Sequence, residues 1–267
     1  MTDLPRLLAG TVAMRPYVFV FLLAYLFLAV SRMGWARTLV WTVVAYLLAF
    51  ACEWSSIRNG FPFGLYRYFD HTSDRELWVA GVPFFDSLSF AFLSFVSFEA
   101  AVILRTPWVS WHAASDDAAA RRSWLTIIYA GLLMTFLDIV IDPVTLQGDR
   151  WFLGKLYDYP SGGPHFGVTI ENYVGWFVVS VLITTSFRLL DATALRAVSR
   201  RGAFAFPFKQ VAPLGVYFGI LAFNIAVAFW IGETTMGWAG VFIAFLIGWM
   251  FFQHAVSPAR RLDGARA

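Results

Sequence analysis

Glu53, Asp86, Asp138, Asp142 and Glu171 all sit where long apolar runs of this chain stop or begin. The order of those runs places the five acids at one end of the predicted helices. Carboxylates set that deep among apolar residues are expensive, so by default they mark a functional site. Asp138 and Asp142 are four apart, which puts them on one helix face a turn from each other. Two carboxyls that close in poorly hydrated surroundings are not both comfortably ionised, so one is expected to keep its proton beside an ionised partner. That is how an acid/base pair arises from identical side chains. The bland alternative has Asp142 closing the turn at Pro143 and Asp138 bonding a neighbouring helix. Glu53 has an alternative local partner in Arg58, and Glu171 lies at a helix start, where the dipole alone favours a carboxylate. Glu99, toward the other end of its helix, is expected to have a local polar partner; Glu233, in a short turn, is uninformative.

The elements that must position these acids follow from composition. Of the 267 residues, 59% are hydrophobic and only 14% charged, against about 25% charged in a soluble domain. The chain is therefore an integral membrane protein. A span needs about 20 mainly apolar residues, and seven stretches meet or approach that: 14–31, 36–53, 83–104, 124–142, 173–190, 212–231 and 236–254. The first follows a short polar head, Met1 to Arg6; it is too long for a secretory signal and lacks the small-residue cleavage site, so it is read as a retained helix. The expected fold is all-α: a polytopic transmembrane bundle of about seven spans, with residues 1–267 forming a single integral membrane domain. One cysteine, Cys52, excludes an internal disulfide and any multi-cysteine metal site.

Two connections are too apolar for solvated loops and too broken by Gly and Pro for helices. One runs from Glu53-Trp54 through Gly60-Phe61-Pro62-Phe63-Gly64-Leu65-Tyr66-Arg67-Tyr68 to Gly81-Val82-Pro83. The other runs from Asp142-Pro143 through Trp151, Tyr157, Tyr159 and Pro160 to Gly167-Val168 and Asn172-Tyr173-Val174-Gly175-Trp176. Such backbone is tolerated at membrane depth only where it lines a cavity or is buried in protein, so both are expected to pack at one membrane face. Trp54, Trp78, Trp151 and Trp238 read as interfacial belt residues. Tyr66, Tyr68 and Trp176, tied to turn glycines beside the acids, are equally suited to wall a site. The segments 105–123, with Ser115, Asp116, Asp117, Arg121 and Arg122, and 191–211, with Arg196, Arg200, Arg201 and Lys209, read as ordinary solvated loops.

With seven spans, the face bearing the acids carries seven of the 20 Lys and Arg residues and the opposite face thirteen, including Arg260, Arg261 and Arg266. The positive-inside rule then puts the C-terminus in the cytoplasm, in a cell (inner) membrane. Several classes are excluded. The histidines, His71, His112, His165 and His254, are scattered, with no clustered di-iron boxes, and no Gly-rich strand–helix turn suggests a nucleotide. Lys155 and Lys209, the only lysines, lie in loops, so no span can form a retinal Schiff base. Asp138-x3-Asp142 lacks the spacing and the companion basic cluster of a magnesium–diphosphate site.

Taken together, Glu53-Trp54, Gly60-x-Pro62-Phe63-Gly64-x-Tyr66-x-Tyr68, Gly81-Val82-Pro83, Asp138-x3-Asp142-Pro143, Trp151, and Gly167-Val168 through Asn172-x2-Gly175-Trp176 resemble the integral-membrane carotenoid biosynthesis family. The likeness covers about residues 36–190. It departs at Thr169, where a proline is expected, and at Phe84-Phe85-Asp86, where a more apolar run is expected. The family includes the carotenoid 1,2-hydratases, so the resemblance implies acid-catalysed hydration of a terminal C=C in an acyclic end group, through a tertiary carbocation and without metal or other cofactor. On that reading Asp138 or Asp142 is the acid, and Glu53 or the other aspartate positions water. Aromatic faces at Tyr66, Tyr68 or Trp176 would steady the cation by about 2 kcal/mol when desolvated. Asn172 and Asp86 complete the expected substrate contacts. The implied partners are a lipophilic carotenoid and the bilayer, with neighbouring carotenoid enzymes as candidates and no nucleic acid. Two alternatives stay open: cyclisation or isomerisation of the end group, which starts from the same protonation, and a small transporter or carotenoid-binding subunit whose acids relay protons.

Overall fold

The computed structural model describes residues 4–106, 118–198 and 202–256. His112, Ser115, Asp116, Asp117, Arg200, Arg201, Arg260, Arg261 and Arg266 lie outside the described residues. The helices are α1 (Leu4–Met14), α2 (Pro16–Asn59), α3 (Phe84–Arg105), α4 (Ala118–Arg122), α5 (Trp124–Leu146), α6 (Ile170–Ala192), α7 (Ala212–Trp230) and α8 (Thr234–Val256). Four two-residue strands, β1 (Arg67–Tyr68), β2 (Trp78–Val79), β3 (Val82–Pro83) and β4 (Tyr157–Asp158), lie in the two long connections. Six helices, α2, α3 and α5 to α8, are long and apolar enough to cross a membrane.

The expected spans 14–31 and 36–53 both fall within α2, whose 44 residues would reach about 66 Å if straight, twice the roughly 30 Å of a hydrocarbon core. It is not straight. Gly34 breaks the helix at φ 77° and ψ 171°, and the Tyr25 hydroxyl reaches the Thr38 carbonyl (3.3 Å) and the Thr42 hydroxyl (2.8 Å). On a straight helix those partners would lie about 20 and 25 Å away. The chain therefore doubles back at Gly34 into two antiparallel limbs, residues 16–33 and 35–59.

Polar contacts fix the rest of the topology. Arg32 and Arg37, beside the turn, pair with Glu99 near the end of α3 and Asp191 near the end of α6. Arg32 also donates to the Lys209 carbonyl just before α7, and His254 near the end of α8 bonds the Thr106 carbonyl after α3. At the other end Arg15 pairs with Glu76, and Arg150 joins Glu233 between α7 and α8. The chain thus runs the length of the bundle about seven times, as expected, and its described ends lie at opposite faces. Glu99 has the local partners expected of it, a bidentate Arg121 at 2.8 Å on both oxygens and Arg32. Glu233, uninformative in the sequence, helps to tie α7 and α8 to the 148–150 turn.

The central helix is α3, with 83% of its most apolar stretch buried. A helix apolar all round must be enclosed by others. Ala91, Ala100 and Ala101 along it are fully buried, and small residues let neighbouring helices approach closely. Trp41 crosses from α2 to donate to the Ala91 carbonyl at 3.1 Å. Two boundaries differ from expectation. A helix over Leu4–Met14 begins within the stretch read as a polar head, Met1 to Arg6, and docks where the Thr11 hydroxyl accepts the Leu77 N–H. α5 continues past Pro143 to Leu146, its final turn held by Thr145 to Ile141 O and by Trp151 Nε1 to Val144 O.

The backbone at Gly34 lies in a region essentially closed to side-chain-bearing residues, at a cost of roughly 1–3 kcal/mol. Gly34→Val is expected to lower stability by about that amount, read as a fall in melting temperature in detergent; an unchanged midpoint would contradict the reversal.

Candidate functional site

Four of the five acids meet at one end of the bundle. Glu53 comes from the last two turns of α2, Asp86 from the first turn of α3, and Asp138 and Asp142 from successive turns of α5, all buried or half-buried. Glu171 does not join them; it is exposed on the first turn of α6. Neighbours on a helix point about 100° apart, so Asn172 beside it faces inward instead. The Asn172 amide nitrogen bridges both aspartates, at 2.6 Å from Asp138 Oδ2 and 3.0 Å from Asp142 Oδ2.

The two long connections supply the remaining donors. β1 and β4 pair antiparallel, Arg67 opposite Asp158 and Tyr68 opposite Tyr157. Side chains alternate across a strand, so the ion pair Arg67–Asp158 faces outward while Tyr66, Tyr68, Tyr157 and Tyr159 turn toward the acids. Tyr157 donates to Asp142 Oδ1 and Tyr159 to Asp142 Oδ2 at 2.9 Å. Tyr68 donates to Asp86 Oδ2 at 2.6 Å, and Ser87 donates to Glu53 Oε2. The Tyr66 ring packs among Tyr68, Tyr157 and Tyr159, with centroids 5.2–5.9 Å away, and joins the two groups of acids.

Turn geometry delivers these side chains. β2 and β3 form a hairpin through Ala80 and Gly81, both at positive φ (48° and 88°), as a two-residue turn requires; it feeds Pro83 directly into α3. At Gly60 (φ 82°) the amide bonds the Ser56 carbonyl and closes α2. The following loop lies against Gly175 of α6, where a Cβ would stand 2.5 Å from Phe63. Phe63 packs on Phe90 and Trp176, and those two rings stack at 4.6 Å.

Around the acids lies a cavity of about 880 Å³, counting its open part. Glu53, Asp86, Asp142, Tyr66, Tyr68, Asn172 and Trp176 line it. Asp138 does not: it is fully buried behind Asp142 and Asn172, and its Oδ1 has no hydrogen-bond partner. Among the described residues no three His, Cys, Asp or Glu side chains are grouped as metal ligands would be. Arg58 leaves Glu53 alone; it bonds the Trp54 carbonyl and lies over the Trp54 ring at 4.0 Å. Trp54 and Trp238 are exposed, as belt residues are, whereas Trp151, grouped with them on sequence, is 8% exposed and walls the cavity. Reasoning from sequence missed the roles of Tyr157, Tyr159 and Ser87, and the places of Tyr17 and Asn224 in the cavity wall. The first two carried a signal: Tyr66-Arg67-Tyr68 and Tyr157-Asp158-Tyr159 share an alternation with opposite central charges, as two paired strands would.

Burial pushes the Tyr66, Tyr68 and Tyr159 hydroxyls well above their ordinary range, and Glu53, Asp86 and Asp142 respectively add to the effect whenever they are ionised. Burial lowers His165, whose Nδ1 lies 2.5 Å from the Tyr173 hydroxyl. An unfolded tyrosine ionises near pH 10, while these three keep their protons, so their contribution to stability is full below that pH and falls as pH rises above it. The melting temperature should therefore decline above about pH 10, less steeply in Tyr66→Phe; equal slopes would contradict burial of that hydroxyl.

A family model described as carotenoid biosynthesis protein matches residues 7–252. No curated protein and no solved structure matches the chain. The match takes in every helix that builds the acid cluster and both connections that cap it, and the chain belongs to the carotenoid biosynthesis protein family.

Proposed function

We propose that the protein hydrates a terminal carbon–carbon double bond in the acyclic end group of a carotenoid. The observation that carries this reading is one cavity, set among membrane helices, into which Glu53, Asp86 and Asp142 project between aromatic walls. Hydrating a trisubstituted alkene needs a proton on its less substituted carbon, then water on the tertiary cation, then loss of one proton from that water. A carboxylic acid and a carboxylate within one apolar enclosure supply both transfers.

The geometry favours a division of labour. Asp142 accepts hydrogen bonds from Tyr157, Tyr159 and Asn172, the setting that suits an ionised carboxylate; it is the water-positioning base. Glu53 and Asp86 face the cavity from the α2–α3 side, share the neighbourhood of Tyr68, and hold the proton delivered to the alkene. Asp138 is the neutral partner behind Asp142, because an uncharged carboxyl tolerates a bare buried oxygen far better than a charged one. It positions Asp142 through their shared Asn172. The stacked faces of Phe90 and Trp176 and the ring of Tyr66 offer the cation a π surface. The proton lost by water returns to the Glu53–Asp86 side, so substrate plus water gives a tertiary alcohol with no net change in the protein.

Asp142→Asn and Glu53→Gln are each expected to reduce conversion about 100-fold or more, the usual worth of a positioned acid or base. Asp138→Asn, away from the cavity, should reduce it less. The assay is mass analysis of pigments from a host that makes an acyclic carotene, with the product heavier by one water. Altered retention without a mass gain would replace hydration by isomerisation or cyclisation. Full activity in all three variants would remove these acids from the chemistry.

A further inference from the structure

We infer that a long linear hydrocarbon reaches the cavity sideways from the bilayer, through the seam between the 16–33 limb of α2 and α7, where the rings of Tyr17 and Phe223 close the gap. The choice of an acyclic polyene as occupant rests on the proposed function; the seam itself rests on geometry. On α3 the cavity wall runs from Phe85 to Leu93, a depth of about 12 Å. That is less than half of a hydrocarbon core of about 30 Å. A straight chain longer than that depth must leave the cavity somewhere.

Two directions are closed. Toward the membrane face, the β1–β4 ribbon covers the acids. Beside it the Arg15–Glu76 pair, 1% and 0% exposed, ties the start of α2 to the 69–77 loop, with Arg15 also donating to the Leu153 carbonyl. Toward the bundle centre, Tyr25, Trp41, Phe95 and Tyr217 are packed with almost no exposure. Of the side walls, the one between the 16–33 limb and α7 is aromatic and held differently. Tyr17 and Phe223 stack at 5.3 Å and 18°, and Phe21 meets Phe223 edge-on at 6.0 Å. All three rings are half-buried, and their outer neighbours Val20, Ala222 and Ala226 are exposed. Among the described residues, no hydrogen bond or ion pair joins residues 16–21 to 219–226, so turning these rings breaks none. Just inside, Asn224 is 6% exposed and donates to the Ile220 carbonyl at 2.9 Å. Asn224 also lines the cavity, and an amide oxygen there can accept a hydrogen bond from water or from an end-group hydroxyl arriving through the seam.

The test is protection from chemical labelling in lipid vesicles. On a Cys52→Ala background, Phe223→Cys is labelled by a lipid-soluble maleimide with and without an acyclic carotene in the bilayer. Phe21→Cys serves as the second probe should the first not fold. The carotene is expected to slow labelling roughly tenfold, as for a site occupied about nine-tenths of the time. Phe242→Cys on the lipid-facing side of α8, where the native ring is 61% exposed, should label at the same rate in both. Equal rates at Phe223→Cys and Phe21→Cys with and without carotene would overturn the seam. Protection together with a wild-type protein that adds no water to the carotene would leave the seam standing and remove the hydration reading.

Discussion

A carboxyl group placed among membrane helices has to find hydrogen-bond donors inside the protein, because lipid offers none. Four acids at one end of a bundle create that demand several times over. The structure meets it with residues that are not themselves in the long helices: the tyrosines of the β1–β4 ribbon, carried by two connections more than 80 positions apart in the chain. Asn172 from the start of α6 and Ser87 from the start of α3 complete the set. The glycines follow from the same demand. Gly60 and Gly64 turn the backbone ahead of Tyr66 and Tyr68, Gly81 returns the chain into α3, and Gly175 makes room for the loop that carries the tyrosines.

The two ends of the bundle handle charge in opposite ways. At the end away from the cavity, Glu99 is enclosed by Arg32 and Arg121, and Arg37 holds Asp191. Those buried charges each have a counterion, the condition under which burial is tolerable. At the cavity end, Glu53, Asp86, Asp138 and Asp142 accept only from neutral donors, with one Asp138 oxygen left bare, while Arg15 is committed to Glu76. Carboxyls without counterions remain free to gain and lose protons. That contrast separates ion-paired fastenings from a cluster held by neutral donors among residues of the same type.

Much of the architecture was legible in the amino-acid order, because twenty-residue apolar runs leave little choice of structure. The limits of α3, α7 and α8 fall within a few residues of the runs that announced them. The Asp138/Asp142 spacing gave a shared face directly, and Asn172 stood within the Asn172-x2-Gly175-Trp176 motif on which the family resemblance rests. What local pattern could not give was partnership across the chain. The capping of Asp142 by Tyr157 and Tyr159 depends on strand pairing with residues near 67. The burial of Trp151 depends on the fold of α5 past Pro143, a boundary at which the sequence suggested a stop. Glu171 and Asn172 were indistinguishable by position, and only the rotation of α6 against α5 decides which of the two looks inward.

Asn172 spends its amide nitrogen on two aspartates at once. The electrostatic character of that pole is therefore governed by a residue with no charge of its own. Exchanging nitrogen for oxygen there would turn a bridging donor into a third acceptor facing the other two, and the cluster could then hold together only by taking up an additional hydrogen. The identity of one isosteric side chain thus bears on the proton inventory of the Asp138–Asp142 pair.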